Sequence, residues 1–267
     1  MARTTLDFLI RETDAEYHEK SKTYLTSHAL ADFRKCPLLY WKRKHGLIPE
    51  EDRPAYLVGR AAHVLILEGE EVFAEEHAVG GPVNPRTGKP FGPNTQAYAE
   101  WAAAQGKAVL TDEQYSLITS MAASVEAHQV AFELLADGVP EGVVRVEYCG
   151  LPCQARLDFF NPQRGIVDLK TCDDLTWFEA DTRRFGYPHQ MAFYQAVLVC
   201  ATGEIAPVRV IAVEKKEPFR CGVWIMEDQV LAHARRENEA AIARLKQCES
   251  SGTWPTGYEE CRVFDSL

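Results

Sequence analysis

With 267 residues, 46% of them hydrophobic, the chain can bury a sizeable core as one large domain or as a domain with an inserted lobe. Lysine plus arginine number 29 against 39 aspartate plus glutamate, and the resulting net charge of −10 argues against a wholly basic nucleic-acid coat and a polybasic membrane surface. It leaves room for local basic patches and for an acidic metal site. No apolar run approaches the roughly 18 residues of a membrane span and no signal-peptide core opens the chain, so a cytoplasmic protein with no membrane contact is expected. The cysteines form no C-x-x-C pair and read as reduced, mostly buried thiols.

Residues 1–23 are polar without clear periodicity and read as a loose N-terminal arm. Ser27 then stands as an N-cap for a helix through about His45, interrupted at Pro37 and closed by Gly46. Arg34, Lys35, Lys42, Arg43 and Lys44 make that helix basic, which suits either a solvated face or one turned to phosphates. A second helix is expected from Pro54 to Glu68, ended by Gly69. Its histidine, His63, is either a packed, hydrogen-bonded side chain or a ligand. Residues 77–96 are too rich in glycine and proline for helix or strand and form a flap bearing Arg86 and Lys89, or a plain connector. Helical patterns resume over Thr95–Gln105 and Thr111–Ala136, the latter with Thr111 as its capping residue.

From Val143 the period changes to two. A first strand turns at Gly150 and Leu151, and a symmetric turn there sets Glu147 opposite Gln154. Residues 154–172 read as a hairpin about Asn161, Pro162 and Gly165. Symmetry about Gln163 sets Phe160 opposite Ile166 and Asp158 opposite Asp168. One face then carries Arg156, Asp158, Asp168 and Lys170; the other carries Ala155, Leu157, Phe159, Val167 and Leu169. Facing carboxylates need a cation, which Lys170, Arg156 or a metal ion could supply, although alternating charge also suits a solvated strand face. A helix over Pro188–Cys200 brings Gln190 and Tyr194 to one face. Strands over 207–215 and 219–226 and a long charged helix over about Glu227–Cys248 complete the order. The fold class expected is α/β (α+β): a mixed central sheet with an antiparallel start, flanked by helices.

Four local signatures resemble the PD-(D/E)XK nuclease superfamily, within it the RecE-like branch (the exonuclease VIII catalytic domain) and the RecB-type nucleases. The first is Asp168-Leu169-Lys170-Thr171, preceded by the acidic Asp158. The second is Y-x-x-Q-x-A-x-Y, carried by Tyr187, Gln190, Ala192 and Tyr194. The others are G-x-A-x-H ending at His63 and C-P-x-x-Y at Cys36, Pro37 and Tyr40. D-x-K alone is weak; the four in this order are much more specific, while the C-terminal strands and helix match in layout only.

The resemblance implies a restriction-endonuclease-like core and a single exonuclease domain over 1–267: arm 1–23, helical part 24–137, core 140–250 and tail 251–267. It further implies Mg²⁺ or Mn²⁺ held by Asp158, Asp168, the Leu169 carbonyl and His63, with Glu147 steadying a second ion or a water. Lys170 would orient the nucleophile, and Gln190 and Tyr194 would position Lys170 or the DNA backbone. Arg34, Lys35, Lys42, Arg43, Lys44, Arg183 and Arg184 would face DNA. Iron–sulfur relatives place three cysteines late, whereas here the tail offers only Cys248 and Cys261 without C-x-x-C, so no cluster is expected and the RecE-like branch is favoured. By the same resemblance the function would be 5′-to-3′ digestion of linear duplex DNA in phage-type recombination. The enzyme would act as a ring-shaped homo-oligomer, a trimer or tetramer, with a single-strand annealing protein as partner. The competing readings are a RecB-type end-processing or repair nuclease of other polarity and a non-catalytic DNA-binding module of the same fold.

Overall fold

The computed structural model describes residues 6–48 and 54–263. Helix α1 (Asp14–Lys20) is closed by a reciprocal capping box between Thr13 and Glu16, and Ile10 bridges to Val143. The expected loose arm therefore contains a helix docked on the sheet. Thr26 rather than Ser27 caps α2 (Ser27–Lys35), because its hydroxyl accepts the Ala29 N–H. Cys36 ends α2 and caps α3 (Pro37–Lys44), so proline splits the expected helix in two by occupying a first-turn position.

Helix α4 (Pro54–His63) runs into a π turn over Val64–Glu68, after which α5 (Glu70–Glu76) leads to β1 (His77–Val79). This strand lies in the stretch read as structureless; it pairs in parallel with β2 (Ala108–Leu110) across α6 (Gln96–Gln105). Two more helices follow, α7 (Asp112–Ala127) and α8 (Gln129–Leu134), broken at His128 where one helix to Ala136 was expected.

The main sheet has the order β3-β4-β5-β6-β7, formed by β3 (Val139–Tyr148), β4 (Leu151–Asn161), β5 (Gly165–Cys172), β6 (Val208–Glu214) and β7 (Cys221–Ile225). Only β5 and β6 are parallel, as expected where helices cross over between them: α9 (Phe178–Phe185), which the sequence reading missed, and α10 (Tyr187–Thr202). Helix α11 (Asp228–Ser251) closes the chain. Helices α2, α3, α10 and α11 cover one sheet face around Phe33, Phe193 and Ile242, and α4, α7 and α8 cover the other around Ile118, Leu169 and Ile211. The result is a mixed sheet between helical layers.

Two register details position the site. Cys149 and Gly150 both have positive φ (53° and 74°), the signature of a two-residue hairpin turn, so Tyr148 pairs with Leu151. Glu147 therefore faces Pro152, not Gln154, whose partner is Arg145. At the other turn Gly165 has φ 87° and a Cβ there would lie 2.1 Å from the Pro207 carbonyl, so only glycine fits. This turn gives the expected Phe160–Ile166 pair.

The single apolar face expected for β4 and β5 does not exist. Ala155 and Leu157 enter one core while Phe159, Val167 and Leu169 enter the other. The alternation slips at Asp158: the ladder pairs Pro140 with Phe159 and Gly142 with Leu157, and between them Glu141, at φ 52°, breaks the extended line of β3.

Candidate active site

That slip gathers the acidic residues. One ligand atom each from His63, Glu141 and Asp158 lies within 4.8 Å of the others. His63 arrives from the end of α4, at the π turn; the α4 backbone comes close to β5 at Gly59, where a Cβ would sit 3.7 Å from Thr171 Oγ1. Its Nδ1 is 3.6 Å from Asp158 Oδ2. Burial holds the imidazole below its ordinary pKa, while the Asp158 charge and the Leu169 backbone work in the opposite direction. A neutral imidazole keeps a lone pair for a cation.

Asp158 Oδ2 also accepts the Leu169 N–H at 2.8 Å. The β4–β5 ladder ends at Phe159–Val167, so the strands diverge before Asp158 and Asp168 can pair as expected. The Asp158 side chain takes the backbone donor that the divergence frees.

Asp168 is fully buried, and Lys170 Nζ lies 2.6 Å from its Oδ2. The ammonium pairs with that oxygen, and apart from Lys170 neither buried carboxylate oxygen has a hydrogen-bond donor among the described residues. Burial first, and then the Asp158 charge, push the Asp168 carboxyl up to about 7 against the pull of Lys170. Burial draws Lys170 down, but the Asp168 and Asp158 charges outweigh it and hold the ammonium above its ordinary value. The ammonium also lies 5.1 Å over the Tyr187 ring.

Glu141 is the residue the sequence reading missed. Burial and then the Asp158 charge raise its carboxyl to about 8, offset in part by Arg156, whose Nε lies 2.9 Å from Oε2. Arg156 is itself tied to Asp14 at 2.6 Å and stacked on Tyr17 at 4.7 Å. The signal was available: with the turn set at Cys149 and Gly150, Asp158 faces Glu141. Glu147 is exposed and six positions along β3, roughly 20 Å away, so it does not join the cluster.

Gln190 Nε2 donates to the Tyr194 hydroxyl at 2.9 Å, while Lys170 pairs with Asp168 and lies over Tyr187. Of the basic residues, Arg34 donates to the buried Asn238, Arg43 pairs with Asp32 at 2.5 Å and Lys44 with Glu249 at 3.1 Å. Lys35 is exposed and Lys42 half-buried. Arg183 and Arg184 are exposed and make no ion pair among the described residues. A groove of about 1050 Å³ between α1, α2, α3 and the β3–β4 turn takes in Tyr17, Arg43 and Lys44, and no residue of the acidic cluster lines it.

The donor set suits a hard divalent cation: the His63 imidazole and the Glu141 and Asp158 carboxylates form the group, and Asp168, outside it, adds a buried carboxylate whose one close cation among the described residues is Lys170.

The family model described as "PDDEXK-like domain of unknown function (DUF3799)" matches residues 27–266. The chain belongs to this PDDEXK-like family. A crystal structure of a "Putative exonuclease" from Eubacterium rectale covers 97% of this PDDEXK-like chain and 96% of its own at 19% identity, with a TM-score of 0.70, which shows a common fold. The structure of LHK-Exo in complex with dAMP covers 90% of this chain and 98% of its own at 11% identity, but a TM-score of 0.33 carries no argument. A search of curated proteins finds no match to this PDDEXK-like domain. No helix among its described residues is long and apolar enough to cross a membrane.

Proposed function

We propose that this PDDEXK-like domain is a metal-dependent deoxyribonuclease, an exonuclease that hydrolyses phosphodiesters from the ends of linear duplex DNA in the 5′-to-3′ direction. The observation that carries the reading is the buried Asp168–Lys170 pair, whose carboxylate has no other donor among the described residues, set against the His63–Glu141–Asp158 cluster. The fold shared with the Eubacterium rectale "Putative exonuclease" supports it.

His63, Glu141, Asp158 and Asp168 would hold Mg²⁺ or Mn²⁺, with the Leu169 carbonyl beside them. Such an ion supplies Lewis acidity and charge neutralisation at a phosphate oxygen. Lys170 does the work of the protein itself. Its ammonium, fixed between the Asp168 carboxylate and the Tyr187 face, presents N–H donors and positive charge where negative charge develops on the phosphate, and it orients the attacking water. Arg156 holds Glu141 and transmits its own anchoring by Asp14, so the carboxylate does not swing out of the cluster.

The same reading carries a recombination role, a ring of copies around the duplex and a single-strand annealing protein as partner for the product strand. Duplexes labelled at the 5′ or 3′ end, incubated with magnesium, test the activity and its direction. Progressive loss of the 5′ label first supports it, release of the 3′ label first reverses the polarity, and a mobility shift without cleavage leaves a binding module. Light scattering on the purified protein tests the ring, which a strict monomer would remove.

A further inference from the structure

Phe185 ends α9 with 57% of its surface exposed, yet it belongs to a row of packed rings. Its centroid lies 5.9 Å from Tyr187, Tyr187 lies 6.3 Å from Phe178, and Phe178 lies 4.6 Å from Trp224. Phe178 is buried at 2%, so the row is rooted in the core and its far end presents a ring to solvent. Gly186, at φ 72°, reverses the chain between α9 and α10 and lets the rings on either side of it approach. Tyr187 also carries the Lys170 ammonium at 5.1 Å, so two contacts lead from the exposed ring to the group that faces the phosphate.

The charge around the ring fits the same purpose. Arg183 and Arg184 precede it, exposed and without ion-pair partners among the described residues, whereas Arg43 and Lys44 are spent on Asp32 and Glu249. The Arg184 guanidinium lies 5.4 Å over the Phe185 ring and can swing to a phosphate without breaking an ion pair. A lone exposed aromatic needs no explanation. A rigidly rooted ring beside two arginines without ion-pair partners among the described residues, continuous with the lysine proposed to face the phosphate, has the composition of a base-stacking platform in a single-strand channel.

We propose that Phe185 stacks the base of an unpaired nucleotide next to the scissile phosphate, with Arg183 and Arg184 on the flanking phosphates, so that the strand enters the site single-stranded. This rests on the nuclease reading and narrows its substrate to frayed or single-stranded DNA at the point of cleavage.

The test is binding of short single-stranded oligodeoxynucleotides carrying 2-aminopurine, measured in chelator so that hydrolysis plays no part. Wild type quenches the 2-aminopurine fluorescence, Phe185→Trp keeps the quenching, and Phe185→Ala loses it while binding about five- to a hundred-fold more weakly. Circular dichroism confirms that the variants are folded. Arg183→Gln with Arg184→Gln weakens binding and flattens its salt dependence, yet at saturation the quenching remains. Undiminished quenching in Phe185→Ala overturns the proposal, and so does a blunt duplex that binds as tightly as single strand with no sensitivity to Phe185. Adding magnesium to the wild-type complex separates the two ideas: stacking without hydrolysis sinks the nuclease and leaves the platform, whereas hydrolysis indifferent to Phe185 does the reverse.

Discussion

Asp158 accepts the Leu169 N–H at 2.8 Å while the same oxygen stands 3.6 Å from His63 Nδ1. One carboxylate thus closes the gap between two diverging strands and faces the candidate cation site. The two roles separate under substitution. Asp158→Asn keeps an acceptor for Leu169 and is expected to fold with a melting temperature near that of wild type, yet to lose magnesium-dependent cleavage. Asp158→Ala strands a buried N–H, costing about 1–3 kcal/mol and lowering the melting temperature by several degrees. Equal melting temperatures for the two variants would remove the strand-closing role.

Asp168 and Lys170 answer differently. Lys170→Ala and Asp168→Ala are each expected to cut the cleavage rate by at least about a hundred-fold, since the first removes the donor proposed to face developing charge and the second a candidate metal ligand. Neither side chain fills the apolar cores, so circular dichroism should report a native fold. Full activity in either variant would sink the catalytic assignment.

Glu141 gives the sharpest test of the cluster, because no motif marks it. Ion binding stabilises the folded state by mass action, so millimolar Mn²⁺ or Ca²⁺ should raise the melting temperature of the wild type. Glu141→Gln and His63→Ala are each expected to weaken the ion on the order of ten- to a hundred-fold and shrink that rise, whereas Glu147→Gln should leave it unchanged. A thermal shift lost in Glu147→Gln and kept in Glu141→Gln would restore the register expected from the sequence.

Much of this molecule was legible in its sequence. The period-two pattern, Gly165 and the Asp168-Leu169-Lys170 run identify the hairpin that carries the acids, and the mixed sheet follows from strand and helix order. The misses have a common physical cause, namely backbone geometry that side-chain pattern does not encode. Cys149 in a left-handed conformation shifts the β3–β4 register by two, which moves Glu147 from Gln154 to Pro152 and brings Glu141 level with Asp158. The positive φ of Glu141 then breaks the face alternation that the sequence reading continued through Asp158. Local capping chemistry accounts for smaller errors, as at Thr26, which caps α2 one residue before the serine expected to do so. Ion pairing was also out of reach: Arg43, Arg183 and Arg184 are all exposed, and the bond to Asp32 is what sets Arg43 apart.

The last expectation concerns acid. Glu12, its side chain 4% exposed, accepts hydrogen bonds from Arg145 and from Lys20 at 2.6 Å, tying the segment before α1 to β3. Glu214, 1% exposed, accepts from Arg220 and from the Leu175 N–H, joining β6 to the start of the crossover. The Arg145 bond holds the Glu12 carboxyl below its ordinary value, and the Arg220 bond does the same for Glu214. A depressed folded-state pKa means that the unfolded chain takes up the proton first, so stability rises with pH across that window. The contribution is complete above the unfolded value near 4.5 and is lost as pH falls through the lower folded values. Urea midpoints measured between about pH 6 and pH 3 should therefore fall steeply for wild type in the acid half of that range. In Glu12→Gln with Glu214→Gln the midpoint should start lower at pH 6 and decline less. A parallel decline in both proteins would assign the acid sensitivity to other carboxylates and reduce these two clamps to ordinary surface ion pairs.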